Sequence, residues 1–323
     1  MAAKQGYGRL RRALGGLALM GLVAGCVALP RPPAPVMPTP DTAAPEDIGE
    51  RSQESIALGV HYQRLENDLL AQGLLRTDGG GVDTPFDARD LATNFLRIAL
   101  RDEYVTEGDG LVARETESRL RRWNKPVRMQ LIFGATVAEE QRLRDTEDVT
   151  AFAARLAEVT GLRIIQTDAR ANFHVLVLNE DDRRAFGPEL DALMPGMTRA
   201  TKRAFLDLPK DQLCAVIGAL NADGVTYDRA IALIRGEHPP LMRLSCIHEE
   251  LAQGLGLAND SPQARPSIFN DDEEFAYLTR HDELLLEMLY DPRLEPGMTV
   301  DTAAPLVRRI AEEIIAETTG GPV

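Results

Sequence analysis

The chain has 323 residues, 44% of them hydrophobic, with 50 acidic against 36 basic side chains and a formal net charge of −14. A composition of this kind builds a real core. The excess of carboxylates argues against nucleic acid as a partner and against purely electrostatic adhesion to an anionic lipid surface.

At the N-terminus Lys4, Arg9, Arg11 and Arg12 stand before an apolar run from Ala13 to Val23, the charged-then-apolar order of an export signal. The run is about eleven residues, well short of the roughly 20 that a bilayer-crossing helix needs, so it reads as a signal and not a span. It closes on Leu22-Val23-Ala24-Gly25-Cys26, which resembles the bacterial lipobox. That resemblance implies a signal peptide over residues 1–26 and a Cys26 that carries acyl chains, enough to anchor the chain stably in a lipid bilayer. The residue after the cysteine is Val27 and not Asp, which in such lipoproteins favours the outer membrane of the cell envelope. Residues 27–45 hold seven prolines and no hydrophobic period, the composition of a stiff, extended tether. An exported chain is exposed to oxidising conditions, and only Cys214 and Cys246 remain beyond Cys26. A disulfide between them is predicted over two free thiols.

Residues 46–110 read as an N-terminal helical subregion. Ile56, Val60, Leu65 and Leu69 mark a helix between Ser52 and Arg76, and a second is expected from Thr84-Pro85 to about Arg101, with Thr as cap and Pro in the first turn. The main domain is placed at residues 111–323. Its first strand follows Trp123, where Val127, Met129, Leu131 and Phe133 alternate with Arg128, Gln130 and Ile132; a helix from Thr146 to Thr160 and strands at 162–167 and 173–178 come next. An acidic helical insertion covers 180–206. Strands at 213–220 and 228–235 flank Asn221-Ala222-Asp223-Gly224, a hairpin signal. A long helix is expected from Pro240 to Leu257 and a final one from Asp282 to Tyr290.

The long helix contains the candidate chemistry. His248-Glu249 resembles the start of the zinc-protease signature H-E-x-x-H, but the position four after His248 is Ala252, which cannot bind a metal. In the frame one residue later, Glu249, Glu250, Gln253, Gly256 and Asn259 occupy the fixed positions of H-E-x-x-H-x-x-G-x-x-H, the metzincin signature. The order of strand, helix, several strands, long helix, loop and helix is similar to metzincins and their zincin relatives. The resemblance implies an α+β fold, a zincin-like mixed sheet with a long site helix and a C-terminal helix, preceded by the N-terminal helices. It places Glu250 where the general base stands and Gly256 where the chain turns. The three ligand positions, however, are a carboxylate and two amides, a poor donor set for zinc. The run Glu249-Glu250-x-x-Gln253-x-x-Gly256-Leu257-x-Asn259-Asp260, with Ser267 to Asp272 and Leu289 to Leu294, also resembles a family of proteobacterial lipoproteins of unknown function.

The expected function is therefore a lipid-anchored envelope protein with a degenerate metzincin-like domain, noncatalytic, binding an envelope protein or peptide or serving a structural role. In that reading Glu249, Glu250 and Gln253 hydrogen-bond to one another and to the loop after Gly256, and no zinc or other cofactor is required. His248 points about 100° away from the first ligand position and reads as packing. The alternative is a peptidase-like hydrolase with Glu250 as base. A third reading gives Asp271, Asp272 and Glu273, within the cluster from Asn270 to Glu274, a calcium ion. His61, His174, His238 and His281 have no partner at metal or triad spacing.

Overall fold

The computed structural model describes residues 49–107, 110–270 and 272–319, so the signal, Cys26 and the tether lie outside the described residues. At the centre of the sheet is β5 (Phe173–Leu178), buried along its whole length, which is why its sequence is a near-continuous apolar run and not an alternation. It pairs in parallel with β3 (Val127–Phe133) on one side and β7 (Tyr227–Arg235) on the other. The short β4 (Ile164–Gln166) extends the sheet beyond β3 in parallel, and β6 (Cys214–Leu220) closes the other edge, antiparallel to β7. The order is β4-β3-β5-β7-β6. β6 and β7 form the predicted hairpin: Asp223 accepts hydrogen bonds from the amides of Val225 and Thr226, and Gly224 takes φ +70°.

Alternation along the strands separates two apolar layers. Val127, Met129, Phe173, Val175, Ala230 and Ala232 face α3 (Glu139–Thr160), α7 (Pro240–Gln253) and α8 (Arg280–Leu289) in the main core. On the opposite face Leu176, Leu178, Ile231 and Leu233 meet Leu190, Met194 and Phe205 from the segment that contains α4 (Glu180–Ala185), α5 (Gly187–Leu193) and α6 (Arg199–Leu206), the acidic insertion.

Several boundaries differ from expectation, each for a local reason. The first helix, α1 (Gln53–Ala71), stops before Arg76 because the amides of Leu75 and Arg76 bond instead to the carbonyls of Glu273 and Glu274. Thr84 caps nothing; its hydroxyl exchanges hydrogen bonds with Gly81, and α2 (Ala88–Ala99) starts on an Asp87–Asp90 capping box. α3 begins seven residues earlier than Thr146, because its first turns are solvated and carry no apolar stripe. α7 ends at Gln253 and not at Leu257.

Three of the described elements lie beyond the predicted set. An antiparallel hairpin, β1 (Arg101–Glu107) and β2 (Gly110–Glu117), follows α2, so the segment 46–110 is not purely helical. The chain also does not finish with α8: α9 (Val300–Thr319) lays Ala303, Val307, Ile310 and Ile314 into the main core, where α2 contributes Leu91, Phe95 and Ile98.

Candidate functional site

Successive turns of α7 are tied to several parts of the fold. Its N-cap is Pro239, which offers no side-chain cap, and the Glu66 carboxylate of α1 substitutes by accepting a hydrogen bond from the Met242 amide at 2.9 Å. One turn on, the Arg243 guanidinium donates to buried Asp145 of α3 at 2.7 Å. Burial pushes the Asp145 carboxyl up, against the opposing pull of Arg243. Cys246 is joined to Cys214 of β6 in a disulfide, with Cα atoms 5.9 Å apart, as the cysteine count predicted.

His248 stacks on Phe152 at 3.8 Å between ring centroids, lies 5.1 Å from Tyr277, and accepts a hydrogen bond from the Leu278 amide at Nδ1. Desolvation lowers its pKa to about 3. It is a packing residue. At the other end the Gly254 carbonyl accepts from the Trp123 indole at 2.9 Å, and the Leu255 carbonyl accepts from the Tyr290 hydroxyl at 2.8 Å. Sequence reasoning assigned Trp123 and Tyr290 no part in this; their only signal is that a buried indole or phenol needs a polar partner. Gly256 then turns the chain with φ +127°, and a Cβ there would stand 2.5 Å from the Arg121 carbonyl oxygen.

The three ligand-position side chains each have their own partners. Glu249 Oε2 lies 3.8 Å from Cys214 Sγ. Gln253 donates from Nε2 to Asp260 Oδ1 at 2.8 Å, which pins the loop after Gly256 onto the helix as expected. Asn259 is buried and aims its amide at α2, donating to the carbonyls of Arg97 at 2.9 Å and Asp260 at 2.8 Å, while its backbone amide bonds to the Ile98 carbonyl. Glu250 is buried on the helix at 4% exposure. Gln253 and Asn259 secure the junction of α7, its following loop and α2.

The chain belongs to the family described as Protein of unknown function (DUF2927), matched over residues 88–309. That span runs from the start of α2 into α9 and includes all of α7 and its loop. No curated protein and no solved structure matches the chain.

Among the described residues, one group brings potential metal-ligand atoms together: Cys214, Cys246 and Glu249, within 4.8 Å of one another. The two sulfurs are bonded to each other, so neither is a thiolate, and a single carboxylate is no zinc site. For the calcium reading, Asp271 lies outside the described residues. Of its neighbours, Asn270 and Asp272 accept backbone amides two residues on, and Glu274 is paired with Arg76 and Arg265. Those guanidiniums, which hold the Glu274 carboxyl below its ordinary range, oppose a cation.

The other histidines are also structural. His281 contacts Asn94 at 3.2 Å and Asp282 at 3.5 Å, and Asp282 in turn accepts from Ser267, Ile268 and Thr279 to cap α8. His238 packs edge-on to Tyr62, and His61 stands edge-on to the same Tyr62 ring. His174 is buried at the start of β5. Among the described residues no helix is long and apolar enough to cross a membrane.

Proposed function

We propose that this chain is an exported lipoprotein, anchored through an acylated Cys26 in the outer membrane, whose folded part is a metzincin-like scaffold kept for binding an envelope protein or peptide and not for catalysis. The observation that carries this reading is the use of Gln253 and Asn259. Where the signature calls for imidazoles, two amides hold the loop to the helix and to α2. The succession β3, α3, β4 to β7, α7, loop and α8 supports the scaffold part of the reading, since it follows the order that the resemblance implies. The turn at Gly256 supports it as well.

A hydrolase with Glu250 as base finds less support. A general base must reach a water or a substrate proton, and Glu250 is only 4% exposed. Metal analysis of the full chain, purified without chelator, tests the proposal: zinc far below one equivalent is expected, and stoichiometric zinc would overturn it. The triple variant Glu249→His, Gln253→His, Asn259→His tests the scaffold separately. A folded triple variant should take up about one zinc per chain; a folded one that takes up none removes the metzincin part of the reading.

A further inference from the structure

The four parallel strands all start at one end of the sheet, and a pocket of about 520 Å³ opens there. Its charged lining is Lys125, Arg128, Arg163, Arg170, Asp228 and Arg229, five cations and one carboxylate, on a chain whose formal net charge is −14. This concentration is not a product of composition, which favours acids.

The lining is organised. Asp228 is shared by two of the cations, Lys125 at 2.6 Å and Arg229 at 3.5 Å. Arg128 donates to the carbonyls of Ala169 and Arg170 and so holds the loop before β5. Arg170 itself sits at φ +54°, one of three non-glycine residues with positive φ among the described residues. The guanidiniums of Arg163 and Arg170, both exposed, have no hydrogen-bond or ion-pair partner among the described residues. The positive field reaches inward as well: burial and then the charge of Arg229 depress the pKa of His174, on the same sheet face, to about 4.

We propose that this pocket binds a phosphate-class oxyanion, free or carried as a headgroup. Guanidinium forks match the paired oxygens of phosphate. A concave wall lined mainly by cations focuses the field and attracts the counter-charge, and the volume lies in the range of small-molecule sites. The inference does not depend on the reading of α7.

Titration calorimetry on the full chain, at constant ionic strength, tests it with inorganic phosphate, succinate and a short-chain water-soluble phosphatidic acid. Phosphate should bind saturably at one site. Arg163→Gln combined with Arg170→Gln should weaken it by about tenfold or more, with unchanged circular dichroism, while Arg309→Gln on α9 leaves it unaltered. Tighter binding of the phosphatidic acid than of phosphate assigns the headgroup source; equal binding assigns the free anion. The absence of saturable phosphate binding, an affinity unchanged in the double variant, or succinate bound as tightly as phosphate would each overturn the proposal.

Discussion

Gly256 shows how one residue can be required twice. Its φ of +127° is a conformation that L side chains rarely adopt, and the space a Cβ needs is taken by the Arg121 carbonyl oxygen and, at 3.0 Å, by Leu289. Gly256→Ala should lower unfolding free energy by roughly 2–4 kcal/mol, from backbone strain plus overpacking. Urea denaturation checks this, and a loss below about 0.5 kcal/mol would show that the turn relaxes freely. His248 offers a pH-resolved test. Its folded pKa of about 3 lies below the ordinary 6.5, so the unfolded state binds more protons between those values. Its contribution to stability is therefore full above pH 6.5 and is lost as pH falls towards 3, by at most about 1.4 kcal/mol per pH unit. His248→Phe keeps the ring on Phe152 but removes both the proton site and the acceptor for Leu278. The variant should be about 1–2 kcal/mol less stable than the parent at pH 8, and that deficit should shrink below pH 6.5. A constant difference from pH 8 to pH 4 would contradict the assignment.

At the scale of elements, α7 and the residues that follow it are secured from several directions, with bonds from α1, α3, β6 and the segments at Trp123 and Tyr290. The Cys214–Cys246 bridge closes a sequence separation of 32 residues. In the chain-entropy account its removal should cost about 3–4 kcal/mol. Comparing oxidised and reduced protein, or the paired Cys→Ser variant, in denaturant measures that cost; identical midpoints would show that the other ties make the bridge redundant. Legibility also varied by element. β3, β5, β6 and β7 were readable because alternation or a short apolar run is a local signal. The stripe Ala303, Val307, Ile310 and Ile314 gives α9 the same kind of signal, so that helix was within reach of periodicity. The early start of α3 was not, since solvated turns leave no apolar period.

For the whole molecule, the proposed lipid anchor is separable from folding. Cys26→Ser, expressed in a bacterium, should shift the chain from the membrane fraction to the soluble fraction without altering its unfolding midpoint, because on a chain of net negative charge the proposed acyl chains would be the main attachment. Continued sedimentation with membranes would refute the lipid anchor.

The sequence by itself determined the central strands, the hairpin, the pairing of the two cysteines and the carboxylate and amides at Glu249, Gln253 and Asn259, because each is a matter of residue identity or of spacing along the chain. Only the tertiary structure decided what those side chains do. Asn259 could equally have faced a metal, a loop or solvent, and its partner, the Arg97 carbonyl, lies 162 positions away. The cationic pocket is of the same kind: Lys125, Arg163, Arg170 and Arg229 stand in four separate segments and meet because the sheet places its strands in an order that differs from the order of the chain. Local periodicity reports which face of an element is buried; the identity of what it is buried against depends on contacts distant in sequence, which no local pattern encodes.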